Sequence, residues 1–209
     1  MTQPRVGRRL DPEQRREQLL DAAVDLAAGG DVGAVSVQDL ARRAGVSEGL
    51  LYHYFPTKDA LVAAALRRAA DALLAELDIA ATSDGSPQER LAAGLAAYLD
   101  HVELQPTGWR AALQAHSGDL AALSAELEAH SFRLILDAVD VEEPSPALRV
   151  ALSGWLAFER DACLAWIDNP DVPRAAIEAI LLGSFVATLT AMAEHDAVTR
   201  DVVARLLNG

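Results

Sequence analysis

A pair of short helices joined by a tight turn sets the narrowest limit on how this chain can fold. The pair is predicted in the run SVQDLARRAGVSEGLLYHYF, residues 36–55. Ser36 and Ser47 suit helix N-caps, Asp39 completes a capping box with Ser36, and Gly45 lies in the turn. The apolar side chains that can close a small core between the helices are Val37, Leu40, Ala41, Ala44, Val46, Leu50 and Leu51.

Helix start and stop signals continue along the chain, and no segment alternates apolar and polar residues with the period of a strand. Asp11, Pro12 and Gln14 begin a first helix, and Thr57 caps a long one. Turns rich in Pro, Gly and Asn divide the remainder. The later helices are predicted at roughly 87–104, 106–116, 119–140, 146–168, 172–194 and 197–207. The predicted fold class is all-α, with about nine to ten helices.

Three segments follow from this pattern. Residues 1–10 form a flexible basic arm, which either enters a DNA minor groove or remains a solvated tail. Residues 11–56 form a three-helix head. Residues 57–209 form a larger helical domain, which begins with a long helix at 57–80. The arm carries Arg5, Arg8 and Arg9.

Charge is distributed unevenly between these segments. The formal net charge is −13, yet the first 60 residues hold 8 Lys and Arg against 9 Asp and Glu. An acidic protein is a poor partner for nucleic acid, but charge is screened over about 8 Å at physiological salt. The head can therefore still bind phosphate. Lys58, the only lysine in the chain, begins a helix, where the dipole does not favour a cation. An external phosphate would explain its position.

Other classes of protein find little support in the sequence. Cys163 is the only cysteine, so an internal disulfide is excluded and a reducing cytoplasm fits. No run of 18 or more apolar residues lacks charges, so no membrane span is expected, and the basic N-terminus has no apolar segment typical of a secretory signal. Neither metal-ligand spacing nor an enzyme motif is found. We therefore predict no enzyme activity, no cofactor, no metal and no membrane partner.

The run VSVQDLARRAGVSEGLLYHYFPTKDALV, behind the capped first helix, resembles the TetR/AcrR family of bacterial transcriptional regulators. The motif covers about residues 11–61. The resemblance implies a DNA-binding head of three helices, a connecting helix, and a helical domain for ligand binding and dimerisation. It assigns Leu51 and Phe55 to the core. It implies that the phosphate-contacting residues are Ser36, Ser47, Tyr52, Tyr54 and Lys58, and that the residues facing base edges are Glu48, Gly49 and His53.

Some of these roles have structural alternatives. Tyr52 and Tyr54 either contact phosphate or pack on the small helical core. Many relatives carry a basic or small residue at the position of Glu48. Its carboxylate either accepts from a cytosine N4 amine or only stabilises the helix N-terminus. Lys58 is either a phosphate ligand or an ordinary solvated side chain.

The helix at 146–168 places a carboxylate in an apolar stripe. Glu159 lies at helical spacing among Leu152, Trp155, Ala162 and Trp166. An unpaired buried carboxylate is costly. A partner is therefore expected, and the candidates are His116, Arg110, Arg133 and a polar group on a ligand. The residues predicted to line a ligand pocket are Trp109, Leu113, His116, Phe132, Trp155, Phe158, Glu159 and Ala162. Each aromatic among them belongs either to the pocket or to the core.

The helices at about 146–168 and 172–194 are the expected dimer interface, because the family pairs its last two long helices in that way. A row of mostly small residues supports this: Ala176, Ile180, Gly183 or Ser184, Ala187 and Ala191, with Leu181, Leu182, Phe185 and Leu189 adding apolar area. Packing within one chain is the alternative.

The principal hypothesis for the function is a homodimeric regulator that responds to a ligand. It would repress transcription from a palindromic DNA operator until a small, largely apolar effector releases it, although activation is left open. The alternative is a helical small-molecule binding module with a vestigial DNA-binding head.

Overall fold

The structure, a computed structural model, describes residues 11–28, 36–104, 106, 109–110 and 118–208. Regular structure in that part of the chain is entirely helical, which confirms the predicted all-α class. The nine helices described are α1 (Pro12–Ala28), α2 (Val37–Ala44), α3 (Glu48–Tyr54), α4 (Lys58–Ala81), α5 (Pro87–Leu104), α6 (Gly118–Ala138), α7 (Pro146–Asp168), α8 (Arg174–Ala193) and α9 (Ala197–Asn208). The predicted arm at 1–10 and most of the predicted helix at 106–116 lie outside the described residues.

The helices of the head begin at the predicted capping residues. Ser36, Ser47 and Thr57 each accept a hydrogen bond from the backbone N–H three residues later, at 3.0–3.2 Å. Gly45 ends α2 in the left-handed region, with φ of 66°, where a residue without Cβ is favoured. The tight turn between α2 and α3 therefore depends on Gly45.

A small core holds the head together and includes only the first residues of α4. Leu51 is 0% and Phe55 4% exposed, which confirms both as core residues. The buried side chains of this head core are Leu19, Leu20, Ala22, Ala23, Leu40, Ala41, Ala44, Leu51, Phe55, Leu61 and Ala65. Arg68 of α4 also bonds Glu17 at 3.0 Å and Asp21 at 2.7 Å on α1, so α1 and α4 are linked at their surface as well.

The C-terminal domain packs α4 to α9 around two further buried clusters. Helices α5 and α7 have the predicted bounds. Helix α6 ends at Ala138 rather than at 140, because Asp140 takes a positive φ of 55° and the Val141 N–H bonds the Leu136 carbonyl at 2.9 Å. Pro173 precedes α8, which delays its start to Arg174.

Helix α8 is unusually apolar for a helix that has one side exposed to solvent. It has 20 residues, and its most apolar stretch reaches a mean hydropathy of 1.8, long and apolar enough for a membrane span by length and composition. One side packs inward through Ile177, Leu181, Phe185 and Leu189. Leu181, Phe185 and Leu189 were predicted to add apolar area beside the interface row, and this is wrong, because all three are buried within the chain. Leu181 packs in the cluster that includes Cys163 and Trp166 of α7, whereas Phe185 and Leu189 pack with residues of α7 and α9. Only 22% of the helix's most apolar stretch is buried, so its outer side remains uncovered.

Candidate nucleic-acid interface and ligand cavity

The outer side of α3 forms an exposed polar surface. Glu48, Gly49 and His53 are all exposed, and Tyr52 is 46% exposed. Leu51, on the opposite side, is fully buried in the head core. A helix anchored in this way presents the residues predicted to face DNA while its apolar side holds it in place.

Gly49 leaves open space on this surface. A Cβ built on Gly49 meets no other atom within 4 Å. Packing inside the protein therefore does not require glycine at this position. A partner that approaches the backbone closely, such as DNA, would require it. Beside it, the His53 ring meets the Tyr54 ring edge-on, with centroids 5.3 Å apart.

Tyr54 and Lys58 lie at the margin of the same surface. Tyr54 is half-buried and packs against the head core, so its ring takes the packing role that the sequence left open. Its hydroxyl role stays a prediction. Tyr52 is the more exposed of the two tyrosines. Lys58 is half-buried at the first position of α4.

The two capping serines differ in what their hydroxyls can still do. The Ser36 O–H donates to Asp39 Oδ2 at 2.6 Å while its oxygen accepts from the Asp39 N–H. These bonds, and the nearby Arg42 guanidinium, hold the pKa of Asp39 below its ordinary value. The Ser47 oxygen accepts from the Leu50 N–H, and a hydroxyl that accepts can also donate. Of the two, Ser47 is the better placed to donate to a phosphate.

A two-lobed cavity lies between α4, α5, α6 and α7. The larger lobe has a volume of about 90 Å³ and the smaller about 50 Å³. The two lobes share five lining residues: Leu77, Tyr98, Ser131, Leu156 and Glu159. Most of the lining is aliphatic, so the cavity suits an apolar molecule with few polar groups.

The polar centre of the cavity joins α5 to α7. Glu159 is 8% exposed and accepts a hydrogen bond from the Tyr98 hydroxyl. The Cys163 thiol lies 3.9 Å from Glu159 Oε1. Burial raises the pKa of Glu159 to about 7, although the Tyr98 bond opposes the shift. Burial, followed by the Glu159 charge, also raises the pKa values of Tyr98 and Cys163.

Two of the partners predicted for Glu159, Arg110 and Arg133, were wrong. Arg110 pairs instead with Asp168, and Arg133 bonds His130 at 3.3 Å. His116 lies outside the described residues. The carboxyl is satisfied by neutral donors on α5 and α7 because these helices, and not the arginines, pack directly against it.

The predicted pocket residues separate into several groups. Trp155 and Glu159 line the larger lobe, and Trp109 and Glu159 the smaller. Phe158 is 40% exposed, so its place in the pocket was wrong: the helical turn directs it outward, one position before Glu159. Leu113 and His116 lie outside the described residues.

Two further residues predicted for the pocket do not line this cavity. Phe132 lines a separate groove between α6 and α7, together with Arg149 and Ser153. Ala162 packs against the core beside the cavity without lining either lobe.

Tyr98 is the cavity residue that reasoning from sequence missed. Its signal was present: it follows Leu95 and precedes Val102 on the apolar side of α5, and a buried tyrosine hydroxyl needs a partner. Within the described residues there is no group of three or more His, Cys, Asp or Glu side chains that could hold a metal ion.

A helix-turn-helix head on a long helix that enters a cavity-bearing helical domain defines the class of helical transcriptional regulators. A family model described as bacterial regulatory proteins of the tetR family matches residues 19–65. A second, described as a tetracyclin repressor-like C-terminal domain, matches residues 87–188. A crystal structure of a tetR-family transcriptional regulator from Streptomyces coelicolor superposes with a TM-score of 0.82 and 30% identity, over 95% of this chain and 90% of that one.

The chain therefore belongs to the TetR family of bacterial transcriptional regulators, as its motif indicated. Two curated relatives come from Mycolicibacterium smegmatis. The HTH-type transcriptional repressor KstR is 41% identical over 78 residues, which are 37% of this chain and 38% of KstR. The HTH-type transcriptional activator FasR is 35% identical over 106 residues, 51% of this chain and 48% of FasR. These matches span half or less of each relative.

Proposed function

We propose that this chain is a homodimeric, cytoplasmic transcriptional repressor that binds a palindromic operator and is released by a small, largely apolar effector. The observation that carries this proposal is the construction of α3. Its outer side exposes Glu48, Gly49, Tyr52 and His53, while Leu51 anchors it fully buried in the head core. Such a helix can enter a major groove without disturbing the fold.

The proposed DNA contacts divide into positioning and reading. Phosphate is bound by Ser36, Ser47, Tyr52, Tyr54 and Lys58, which sets the orientation of the head. Base edges are read by Glu48, Gly49 and His53. In this assignment Glu48 accepts from a cytosine N4 amine. Two heads would occupy successive major grooves about 34–36 Å apart.

The uncovered side of α8 supports dimer formation. The small residues Ala176, Gly183, Ala187 and Ala191 are all exposed, and Ile180 is 52% exposed. Ser184 is excluded from this row, because it turns inward to accept from the Trp155 indole at 3.1 Å. A row of small side chains lets a second helix approach closely, and its apolar surface favours burial.

Helix α7 offers apolar side chains on its own open side. Val150 is 67% and Phe158 40% exposed, and a Cβ at Gly154 meets nothing within 4 Å. We propose that α7 and α8 pair with the same helices of a second copy. This four-helix arrangement would bury the apolar side that gives α8 its high hydropathy.

Ion pairs on α4 support a route from the cavity to the head. Arg67 forms a two-pronged pair with Glu126 of α6, at 2.8 and 2.6 Å. The next residue, Arg68, holds Glu17 and Asp21 of α1. A ligand that changes the packing of α4 against α6 would thereby change the position of the head. The effector then shifts the population toward a head spacing that does not fit the operator, and the coupling is reciprocal.

The experiment is a gel shift with DNA from upstream of the chain's own coding sequence, repeated across a range of salt concentrations. A steep decrease in log affinity with log salt is expected. Lys58→Ala should weaken binding and flatten the slope by about 0.9, the value for one phosphate. Tyr52→Phe should weaken binding but change the slope by less than about 0.9, because tyrosine carries no charge.

Arg200→Ala provides the matched control. Arg200 is an exposed cation on α9, far in sequence from the head, and its loss should leave the slope unchanged. The phosphate assignment would be wrong if Lys58→Ala and Arg200→Ala behaved alike. A wild-type protein that binds no upstream fragment at any salt would favour the binding module with a vestigial head.

A further inference from the structure

One end of the cavity combines a buried donor with a buried acceptor. Trp109 is 5% exposed, and among the described residues its indole N–H reaches no acceptor in hydrogen-bond geometry. The Tyr98 hydroxyl lies beside this N–H, but the two groups do not meet in hydrogen-bond geometry. Their rings are 5.8 Å apart. An unpaired buried donor is costly, so a group that accepts from it is favoured.

The acceptor in the same lobe is the carboxyl of Glu159. It receives the Tyr98 O–H and, weakly, the Cys163 S–H at 3.9 Å. A carboxylate offers about four acceptor positions, and a protonated carboxyl still keeps several. Glu159 can therefore accept a further hydrogen bond in either protonation state.

Among small polar groups, a hydroxyl satisfies both requirements, because it accepts and donates at once. An ammonium ion would pair with Glu159 but leave the Trp109 N–H without an acceptor. A carboxylate would accept from Trp109 but repel the Glu159 charge. A hydrocarbon would satisfy neither.

Arg90, the cation beside the larger lobe, does not need an anionic ligand as a partner. Arg90 donates to the Ala138 carbonyl through Nε and Nη2, at 3.0 and 2.7 Å, and to the Gly85 carbonyl at 2.8 Å. It also pairs with Asp140 at 2.8 Å. Its charge and most of its donors are thus used within the protein.

The cavity volumes limit the size of the ligand. The lobes hold about 90 and 50 Å³, and an apolar cavity of about 150 Å³ binds benzene in another protein. The aliphatic walls of the larger lobe, with Leu77, Leu91, Leu95 and Leu134, suit the apolar body.

We infer that this cavity binds a small neutral molecule that carries one hydroxyl on an apolar body about the size of one aromatic ring, with the hydroxyl in the smaller lobe that Trp109 and Glu159 both line. This inference rests on the proposed function, whose effector it assigns to a chemical class.

The test is isothermal titration calorimetry at pH 7 on the full chain without DNA. The probes are 4-methylphenol, its isostere 1,4-dimethylbenzene, benzylamine as a cation and benzoate as an anion. We expect 4-methylphenol to bind about tenfold more tightly than each of the other three, the effect of one or two good hydrogen bonds.

Trp109→Phe should remove this preference selectively. The substitution deletes the N–H and keeps an aromatic ring, so the affinity for 1,4-dimethylbenzene should hold while that for 4-methylphenol falls about fivefold or more. Trp155→Phe is the matched control, because the Trp155 N–H already donates to the Leu181 carbonyl at 3.2 Å and to Ser184. It should change both affinities by the same factor. Circular dichroism and the melting temperature report whether each variant folds.

Equal affinity for 4-methylphenol and 1,4-dimethylbenzene would overturn the inference. So would tightest binding of benzylamine or benzoate, no binding of any probe, or an unchanged preference in a folded Trp109→Phe variant. The proposed function fails separately: selective binding of 4-methylphenol with no effect on the operator gel shift would remove the release step alone. Operator release by a different compound, with no binding of 4-methylphenol, would remove only the assignment of the effector class.

Discussion

At the scale of single residues, Glu159 shows how a side chain can be located from sequence while its surroundings cannot. Helical spacing alone predicted a carboxyl within an apolar stripe that needed a partner. The partner is Tyr98, on a helix that comes earlier in the chain. Because burial raises the pKa of Glu159 to about 7, this side chain makes the stability of the fold depend on pH.

Glu159→Gln tests that dependence. The folded state binds a proton at Glu159 more tightly than the unfolded state, whose pKa is near 4.5. Ionisation of Glu159 therefore costs no stability below about pH 4.5, and stability decreases as pH rises from there to about 7, by about 3 kcal/mol in all. Urea unfolding from pH 4.5 to 8 should show this loss in the wild type and lack it in Glu159→Gln.

The quantity to compare is the difference in unfolding free energy between the wild type and the variant at each pH, because other carboxyl groups titrate as well. The pKa values of Asp39, Glu89, Glu126 and Asp196 are all lowered by hydrogen bonds, so they act in the opposite direction and at lower pH. Parallel stability curves for the two proteins would show that the carboxyl of Glu159 is not desolvated.

At the scale of helices, the head is a separate packing unit attached to one end of α4. Its core takes Leu61 and Ala65 from α4, while the C-terminal cluster takes Val62, Leu66 and residues beyond. The same helix thus contributes to two cores through adjacent faces, about 100° apart. Damage to one core should therefore leave the other largely intact.

Leu51→Ala is expected to unfold the head selectively. Leu51 is 0% exposed, and truncating a fully buried leucine costs about 2–5 kcal/mol. Hydrogen exchange should speed up across α1, α2 and α3, whereas α7 and α8 keep their protection, and operator binding should be lost.

Leu50→Ala is the control on the same helix, because Leu50 is only half-buried and its truncation should have a clearly smaller effect. Equal loss of protection throughout both domains would mean that the chain unfolds as one unit and that the two cores are not independent.

At the scale of the whole molecule, the exposed apolar side of α8 is the main feature that packing within a single chain does not explain. The helix is apolar enough to span a membrane. It also carries Arg174, which pairs with Asp100, Glu103 and Glu178, and its inner side is packed. A second copy of this chain is the occupant that we propose for its outer side.

Gly183→Arg should convert the dimer into a monomer. A Cβ at Gly183 meets nothing within 4 Å, so the arginine fits the single chain but would place a bulky charge in the paired helices. Light scattering after size-exclusion chromatography should show half the mass, with unchanged helicity and at least about tenfold weaker operator binding, because two linked heads bind more tightly than one.

Ala93→Arg adds the same charge on an exposed position of α5 and should leave the mass unchanged. A dimeric Gly183→Arg variant would place the interface elsewhere on the molecule. A wild-type protein that is monomeric at all concentrations would contradict the proposed dimer.

Local chemistry accounts for what the sequence determined by itself. Capping by Ser36, Ser47 and Thr57, the turn at Gly45 and the spacing of apolar residues depend on neighbours within a few positions. They predicted the described helices and the head core, because hydrogen bonds and apolar contacts over three or four residues depend only on nearby positions in the sequence.

Contacts between distant segments were decided only by the tertiary structure. The pairing of Tyr98 with Glu159, the outward position of Phe158 and the inward turn of Ser184 depend on how helices rotate against one another when they pack. A rotation by one residue, about 100°, moves a side chain from a cavity to the surface. Periodicity identifies the apolar side of a helix, but which neighbour meets it depends on the packing of the whole domain.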